Sequence, residues 1–319
     1  MRTAQALMTS VSQATKNREE SLQLLLRWHE RLGHLPFGIL RQLFPDLCSR
    51  IQESLKKEVI VEDDFAWIVA EREGKKSTCF GKNQLHYIGG VDLSFSKDDP
   101  SVACGALVVL DFNTMNVVYE DYNVSRLQNP YVPGFLAFRE GPIIVDLLEK
   151  MRNEKNPFYP QLLMVDGNGL LHPRGFGLAC HLGVLADIPT IGIGKNLHHV
   201  DGLTESGVRQ VLRSQNRSSD EVIMLTGNSG KIWGAAIRAT SSSLKPIYVS
   251  IGHRISLETA VRIVKNCCIY RVPEPTRQVL ADPGQQVDQM ALLTSYWGGF
   301  GSLVVPARHG LVFLMSCFC

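Results

Sequence analysis

The chain has 319 residues, of which 45% are hydrophobic and 20% are charged, and its formal net charge at pH 7 is +2. This length allows a substantial core in one large domain or two smaller ones. The weak net charge excludes uniform basicity as a means of binding nucleic acid, so any such contact must come from a local basic patch. No apolar run approaches the ~20 residues of a membrane-spanning helix, and we expect no membrane partner.

The N-terminal third is predicted to be helical and then irregular. Residues 18–57 have helical periodicity, broken around 33–38, and a polar, glycine-containing stretch over 70–86 predicts a surface loop. The chain contains eight cysteines, with no CxxC pair and no zinc spacing. Several of them lie in apolar runs, so we expect reduced core thiols in an intracellular protein. We expect it in the cytoplasm, with the nucleus or nucleolus as a further location.

Three strands follow, with short connectors that predict an antiparallel meander. Their sequences are YIGGVDLSF (87–95), VACGALVVLDF (102–112) and MNVVYEDYNV (115–124). The next segment, NPYVPGFLAFRE, holds Tyr131 between Pro130 and Pro133 and predicts a stiff loop that presents the aromatic ring. An ordinary proline turn is the alternative. A helix should begin at Leu136 or Pro142 and run through Lys150.

The second half has a different pattern. QLLMVDG (161–167) and PTIGIG (189–194) are short apolar runs typical of strands covered on both faces, and a helix separates them. Further strands are predicted over 221–227, 231–239 and 246–252, followed by a helix over 256–267. Three antiparallel strands followed by helix, strand, helix and strand is the order of the RNase H-like fold. We therefore predict an α/β protein with a mixed central sheet, in which parallel strands follow three antiparallel ones, flanked by helices.

Three acids occupy positions that this topology brings together. Asp92 interrupts the first strand, Asp166 ends the fourth, and Glu140 begins the intervening helix. Clustered carboxylates repel one another unless a cation neutralises them, and hard oxygen ligands suit Mg²⁺, with Mn²⁺ as a substitute. Such a site activates water for phosphodiester hydrolysis. Each acid alone is equally explained as a strand-end cap or an ion-pair partner.

Three basic or imidazole side chains are further candidates. Lys195 follows the fifth strand and is suited to place positive charge near a scissile phosphate. His172 lies in the glycine-rich loop after Asp166, and His253 is suited to complete a metal shell or to transfer protons. The alternatives are a solvated lysine and satisfied loop histidines.

Together these segments resemble the endonuclease V family, the inosine-directed nucleases of the RNase H-like superfamily. The matching stretches, within residues 87–277, are GGVDLSF, PYVPGFLAFRE, LMVDGNGLLHPRGFGLACHLGVL, IPTIGIGKN and SIGHRISLETAVRI. The resemblance implies a metal site of Asp92, Glu140, Asp166 and His253, with Lys195 and His172 in the active site. It also implies that Tyr131, flanked by Pro130 and Pro133, separates the strands, and that backbone around Gly134, Leu136 and Gly167 forms the hypoxanthine pocket.

The resemblance implies cleavage at the second phosphodiester 3′ to inosine, leaving 3′-hydroxyl and 5′-phosphate ends. It implies single-stranded RNA as the favoured substrate, with DNA as a further partner, and we expect a monomer. The segments 33–53 and 67–86 depart from the family pattern. We therefore divide the chain into an N-terminal helical segment (1–85), a catalytic domain (86–280) and a C-terminal tail (281–319). The alternatives are an RNase H-like or resolvase-like nuclease with another substrate, and an inosine-RNA binding protein whose cleavage is incidental.

Overall fold

One eight-stranded sheet, in the order β3-β2-β1-β4-β5-β8-β7-β6, organises the computed structural model of the chain. The structure describes residues 48–69, 84–97, 99–127, 132–214, 222–240, 243 and 245–279. The strands are β1 Tyr87–Phe95, β2 Val102–Asp111, β3 Val117–Arg126, β4 Leu162–Asp166, β5 Thr190–Gly194, β6 Val222–Thr226, β7 Ile232–Ile237 and β8 Ile247–His253. The helices are α1 (48–56 of the described residues), α2 Ala137–Asn153, α3 Leu178–Ala186, α4 Glu205–Ser214, α5 Leu257–Cys267 and α6 Glu274–Val279.

The first three strands form the predicted antiparallel meander, and carboxylates close both of its turns. Before β2, Asp99 accepts hydrogen bonds from the backbone N–H (2.9 Å) and the hydroxyl of Ser101. After β2, Asp111 Oδ1 accepts from the N–H groups of Asn113 and Thr114 at 3.0 and 2.8 Å. These side-chain bonds satisfy turn N–H groups that the strand ladder leaves free.

The centre of the sheet is parallel, as the apolar runs predicted. β4 pairs in parallel with β1 on one side and with β5 on the other. β8, β7 and β6 then extend the sheet in antiparallel pairs. The fold predicted from element order, a mixed sheet of the RNase H-like type, is thereby confirmed, with β1 and β4 as neighbours.

Helices cover both faces of the sheet. α2 and α3 bury one face through a cluster that includes Leu107, Ile144 and Leu163, and α5 covers the other through residues such as Ile263. α6 approaches β1 so closely that a Cβ on Gly90 would lie 1.9 Å from the Pro275 carbonyl oxygen. Only glycine fits at this crossing, two residues before Asp92.

The helix between β3 and β4 begins near one predicted start and runs further than predicted. It spans Ala137–Asn153 and keeps Pro142 inside it. Pro142 lies at its sixth position, where the missing N–H removes one helical bond near the N-terminal end. The short helices α4 and α6 were not predicted, because ten and six residues give little periodicity to read.

The described N-terminal residues pack against the sheet domain. Leu55 of α1 contacts Phe176 and Cys180, and the stacked rings of Phe65 and Trp67, 3.7 Å apart, pack on the main core. The domain boundary at 85/86 stays a prediction. Much of the predicted 18–57 helical region, most of the 70–86 loop and the tail from 281 lie outside the described residues.

Two expectations from composition agree with the described part of the chain. Its cysteines are free thiols, and four of them, Cys48, Cys104, Cys180 and Cys267, are buried. Among these same residues, no helix is long and apolar enough to cross a bilayer.

Candidate active site

Two of the predicted acids stand side by side because of strand register. Val91 of β1 pairs with Val165 of β4, and the strands run parallel, so Asp92 and Asp166 follow them at the same edge of the sheet. Glu140 lies in the first turn of α2, where only 6% of it is exposed. The neighbouring positions of β1 and β4 place the acids as the predicted topology requires, and their role as metal ligands stays a prediction.

The three carboxylates act on one another electrostatically. Burial and, to a lesser extent, the charge of Asp166 raise the pKa of Asp92 to about 7, against the opposing effects of a hydrogen bond with the Leu93 backbone and of Lys195. Burial likewise raises the pKa of Glu140 to about 7, assisted by Asp92 and Asp166. Charged carboxylates are thus costly here without a counter-charge.

Lys195 provides part of that counter-charge. It follows β5, and its Nζ donates a short hydrogen bond to Asp166 Oδ2 as a partly buried ion pair. Its position at the carboxylate edge agrees with the sequence prediction.

Arg271 holds the backbone beneath Lys195, and no pattern in the sequence indicated this role. Its guanidinium Nη2 donates to the carbonyl oxygens of Lys195 and Pro246, both at 3.0 Å, and its Nε donates to the carbonyl oxygen of Lys245 at 3.2 Å. A lone arginine in the loop YRVPEP cannot be distinguished by pattern from a solvated one, because its partners are carbonyl groups distant in sequence.

The structure does not bring His253 to the carboxylates, which corrects the expectation that it completes the metal shell. β8 runs antiparallel to β5, so His253 is level with Thr190 at the start of β5, whereas Asp166 is level with Ile193 near its end. Three strand residues separate these levels, ~10 Å along the sheet. His253 is 3% exposed, and its Nδ1 accepts a hydrogen bond from the Ile60 N–H at 3.2 Å. It is a buried histidine with a structural partner.

His172 lies among basic side chains. Its Nδ1 accepts from the Arg174 N–H at 3.2 Å, and its ring centroid is 6.1 Å from that of His198. Burial, together with the charges of His198, Arg174 and Lys56, lowers the pKa of His172 to about 4. The imidazole is therefore neutral at pH 7. Its proposed place in the active site stays a prediction.

The loop before α2 approaches the β4–α3 loop, as the pocket prediction requires. Gly134 adopts φ +83°, a conformation that favours glycine. Its carbonyl oxygen accepts from Gln52 Nε2 at 3.2 Å, and the same nitrogen donates to the Phe176 carbonyl at 3.0 Å. Gln52, 1% exposed, thus joins the two loops. Of the other predicted pocket residues, Leu136 is exposed just before α2, and Gly167 lies just after β4. Of the residues predicted to separate the strands, Pro133 is exposed at the loop surface, and Pro130 and Tyr131 lie outside the described residues.

The donor set at the carboxylate edge fits a hard divalent cation. Asp92, Glu140 and Asp166 offer only oxygen ligands, and burial and repulsion oppose their ionisation. Within the part of the chain that the structure describes, no three His, Cys, Asp or Glu side chains are spaced to hold an ion as they stand. Asp166 instead directs one oxygen to Lys195. Side-chain rotation toward a shared cation would relieve the repulsion between the carboxylates.

Comparisons with known proteins point to one family. The profile described as Endonuclease V matches residues 70–282. Endonuclease V from mouse is 45% identical over 227 residues, covering 71% of this chain and 64% of the mouse protein. The human protein is 44% identical over 232 residues, covering 73% of this chain and 79% of its own length. The match therefore spans slightly less than two thirds of the mouse relative.

Solved structures agree in both sequence and fold. The crystal structure of the human protein superimposes with a TM-score of 0.69 at 42% identity, covering 77% of this chain and 99% of the other. Endonuclease V from Ciona intestinalis, in complex with a 24mer DNA containing an inosine followed by a ribo-adenosine, gives 0.68 at 30% identity, with coverages of 78% and 99%.

Proposed function

The chain belongs to the endonuclease V family, whose members are hydrolytic endonucleases, and from that premise we propose that it is a metal-dependent nuclease specific for inosine. We propose further that it acts on single-stranded RNA, with DNA as a second substrate. It cleaves the second phosphodiester 3′ to inosine and leaves 3′-hydroxyl and 5′-phosphate ends. The Ciona relative, bound to a strand with inosine followed by a ribonucleotide, supports inosine as the recognised base.

The convergence of Asp92, Glu140 and Asp166 carries this proposal. These acids lie on three different elements. Burial raises the pKa of the first two, assisted at Asp92 by Asp166 and at Glu140 by both aspartates. An arrangement that only stabilised the fold would pair such acids with cations or hydrogen-bond donors. We propose that they bind Mg²⁺, or Mn²⁺ as a substitute. When bound to carboxylates, such an ion supplies an activated water and neutralises charge on the leaving oxygen.

The residues of the chain hold this chemistry in place. The ion pair between Lys195 and Asp166 keeps one positive charge at the carboxylate edge, where it stabilises negative charge that develops on a phosphate. Arg271 restrains the Lys195 backbone, so that the ammonium group is positioned before the substrate binds. His253 has no part in this centre, because it lies at the other end of β5.

Recognition of the base is assigned to the loop before α2. Hypoxanthine offers O6 as an acceptor and N1–H as a donor, the reverse of adenine, so fixed backbone groups discriminate between the two. Gln52 fixes this loop against the β4–α3 loop through the Gly134 carbonyl. Tyr131 stays a prediction as the ring that fills the gap left by the extracted base.

Two variants test Tyr131 directly. Loss of a base-stacking ring costs about 1–3 kcal/mol, so we expect Tyr131→Ala to weaken binding of inosine RNA by about 5- to 150-fold. Tyr131→Phe is the matched control and should bind nearly as well as the parent, with metal affinity unchanged in both. If Phe were as damaging as Ala, the hydroxyl and not the ring would be the working part.

Four labelled oligomers test the function itself: RNA and DNA strands of one sequence, each with and without a single inosine. They are incubated with the protein in Mg²⁺ or in EDTA, and product ends are mapped. We expect cleavage only in Mg²⁺ and only of the inosine strands, with RNA preferred. Equal cleavage of adenine strands would favour an RNase H-like nuclease with another substrate. Tight inosine binding without any cleavage would favour a binding protein.

A further inference from the structure

A group of basic side chains from four chain segments converges beside the base-recognition loop, outside the carboxylate edge. We call it the basic strip; its charged members are Lys56, Arg174 and Lys231, and the imidazole rings of His172 and His198 lie alongside them. Lys56 belongs to α1, the two histidines and Arg174 to the loops after β4 and β5, and Lys231 to the turn before β7. None of them is required for the chemistry proposed above except the untested His172.

One end of the basic strip meets the recognition loop. The guanidinium carbon of Arg174 lies 4.7 Å from the centroid of the Phe135 ring. A Cβ on Gly134 would lie 3.6 Å from Arg174 Cδ. Arg174 also donates to Gln52 Oε1 and to Ser49 Oγ of α1. The basic strip therefore begins at the loop that we assign to the base.

The middle and far end are held by Gly175 and Trp233. Lys56 Nζ donates to the Arg174 carbonyl at 2.8 Å. At Gly175, with φ +63°, a Cβ would lie 3.5 Å from Lys56 Nζ and 3.6 Å from Trp233 Cζ3. Lys231 Nζ lies 4.0 Å from the centroid of the Trp233 ring, whose Nε1 donates to Asp201 Oδ2 at 2.9 Å. The ring thus fixes the position of an exposed lysine.

Nearby acids neutralise little of this charge. Arg174 has Glu53 at 3.9 Å, but that carboxylate is 54% exposed. Asp201 is already engaged by Ser229 and by Trp233. Among the described residues, neither Lys56 nor Lys231 forms an ion pair. Converging cations without matched carboxylates are typical of surfaces that bind phosphate groups.

We propose that the basic strip binds the phosphate backbone of the substrate strand where it continues beyond the recognised base. This inference rests on the proposed function, because it takes the loop at Gly134 as the base site. Contacts of this kind are independent of sequence and set the register of the strand. The strip supplies affinity and register, and it leaves the reacting atoms to the carboxylate edge.

Charge-removing variants test the inference through the salt dependence of binding. Lys231→Gln and Lys56→Gln each remove one charge, and Lys155→Gln is the control because Lys155 is exposed at the turn after α2, away from the strip. Dissociation constants are measured in EDTA at about 50 and about 200 mM salt for a long strand with a central inosine. Each lysine on a single strand contributes a slope of about 0.7, so this fourfold rise in salt should weaken each variant about 2.6-fold less than the parent.

Two further arms separate this inference from the proposed function. A strand without inosine should show the same change of slope, because phosphate contacts do not read the base. A strand trimmed to a few nucleotides around inosine should bind parent and variants alike, and single-turnover cleavage of the long strand at saturation should be unchanged.

If the salt dependence of binding had the same slope in these variants as in Lys155→Gln, the proposed role of the basic strip would be wrong, even with inosine specificity intact. If the slope changed but the protein showed no preference for inosine, phosphate binding by the basic strip would be supported and the proposed function would be wrong. Thermal unfolding of each variant establishes that it is folded, and Lys56 and Lys231 serve as independent tests of one another.

Discussion

Buried or partly buried polar residues lie beside both ends of β5, but their electrostatic environments differ. At the end of β5, Lys195 and Asp166 form an ion pair beside Asp92. The pKa of the buried Asp92 carboxyl is raised to about 7. At the start of β5, His253 is as buried as Glu140, yet its Nδ1 has a backbone N–H as partner. Burial alone therefore does not mark a site. A functional site is marked instead by buried charge that the fold leaves uncompensated.

The strand directions produce this difference. β1, β4 and β5 run parallel, so Asp92 within β1, Asp166 at the end of β4 and Lys195 after β5 collect at one edge. β8 is antiparallel, and its last residue, His253, lies at the other edge. The comparison predicts large catalytic effects from one end of β5 and effects on stability from the other.

The largest effect should come from the acids. Asp92→Asn and Glu140→Gln remove a metal ligand of the same shape, and loss of several kcal/mol of transition-state stabilisation lowers the single-turnover rate by about 10³-fold. The melting temperature without metal should rise or stay the same, because a costly buried charge is gone. Comparable rates in these variants at saturating Mg²⁺ would contradict the assignment.

The pH dependence of stability is the next test, in the metal-free protein. The folded pKa of Asp92 is about 7, well above the ~3.9 of an unfolded aspartate. The folded state therefore binds the proton more tightly, and stability present below pH ~4 is lost as the pH rises to about 7. Denaturant unfolding should show a loss on the order of 2–4 kcal/mol over this range. Asp92→Asn should reduce this loss and leave the part that Glu140 contributes, whose pKa is also raised to about 7. An unchanged curve would mean that the pKa of Asp92 is not raised in the folded protein.

Lys195 should have a smaller catalytic effect than the acids. Lys195→Met removes the charge beside Asp166, and loss of one stabilising group in such a centre typically costs about 10²-fold in turnover. Lys155→Gln, on the turn after α2, is the control and should not change the rate. A Lys195 variant with the parent's single-turnover rate would show that the ion pair is structural only.

Arg271 should act through Lys195 and more weakly. Arg271→Ala frees the carbonyl oxygens of Lys195 and Pro246, and we expect about a tenfold lower single-turnover rate, or about 1.4 kcal/mol. Arg271→Lys should retain part of the single-turnover rate that Arg271→Ala loses. In the Lys195→Met background Arg271→Ala should have little further effect on rate, whereas a purely structural role would give independent, additive losses.

The sequence predicted the parts of the site that depend on strand order and failed where partners are distant. Asp92 and Asp166 could be placed because one interrupts and the other ends an apolar run, and the two runs were predicted to form neighbouring strands. His253 was misplaced because YVSIGH shows a strand without showing its direction, and direction decides the edge. Arg271 and Gln52 act on carbonyl groups far away in sequence, so no local pattern marks them.

One pair of variants distinguishes the two ends of β5: Asp166→Asn and His253→Asn, compared in single-turnover cleavage of an inosine strand at saturating Mg²⁺. Asparagine keeps an acceptor near the position of His253 Nδ1 and so limits the loss of stability. We expect a rate lowered about 10³-fold for Asp166→Asn and a rate within about threefold of the parent for the folded His253→Asn. Equal, large losses in both would place His253 in the catalytic centre and contradict the account.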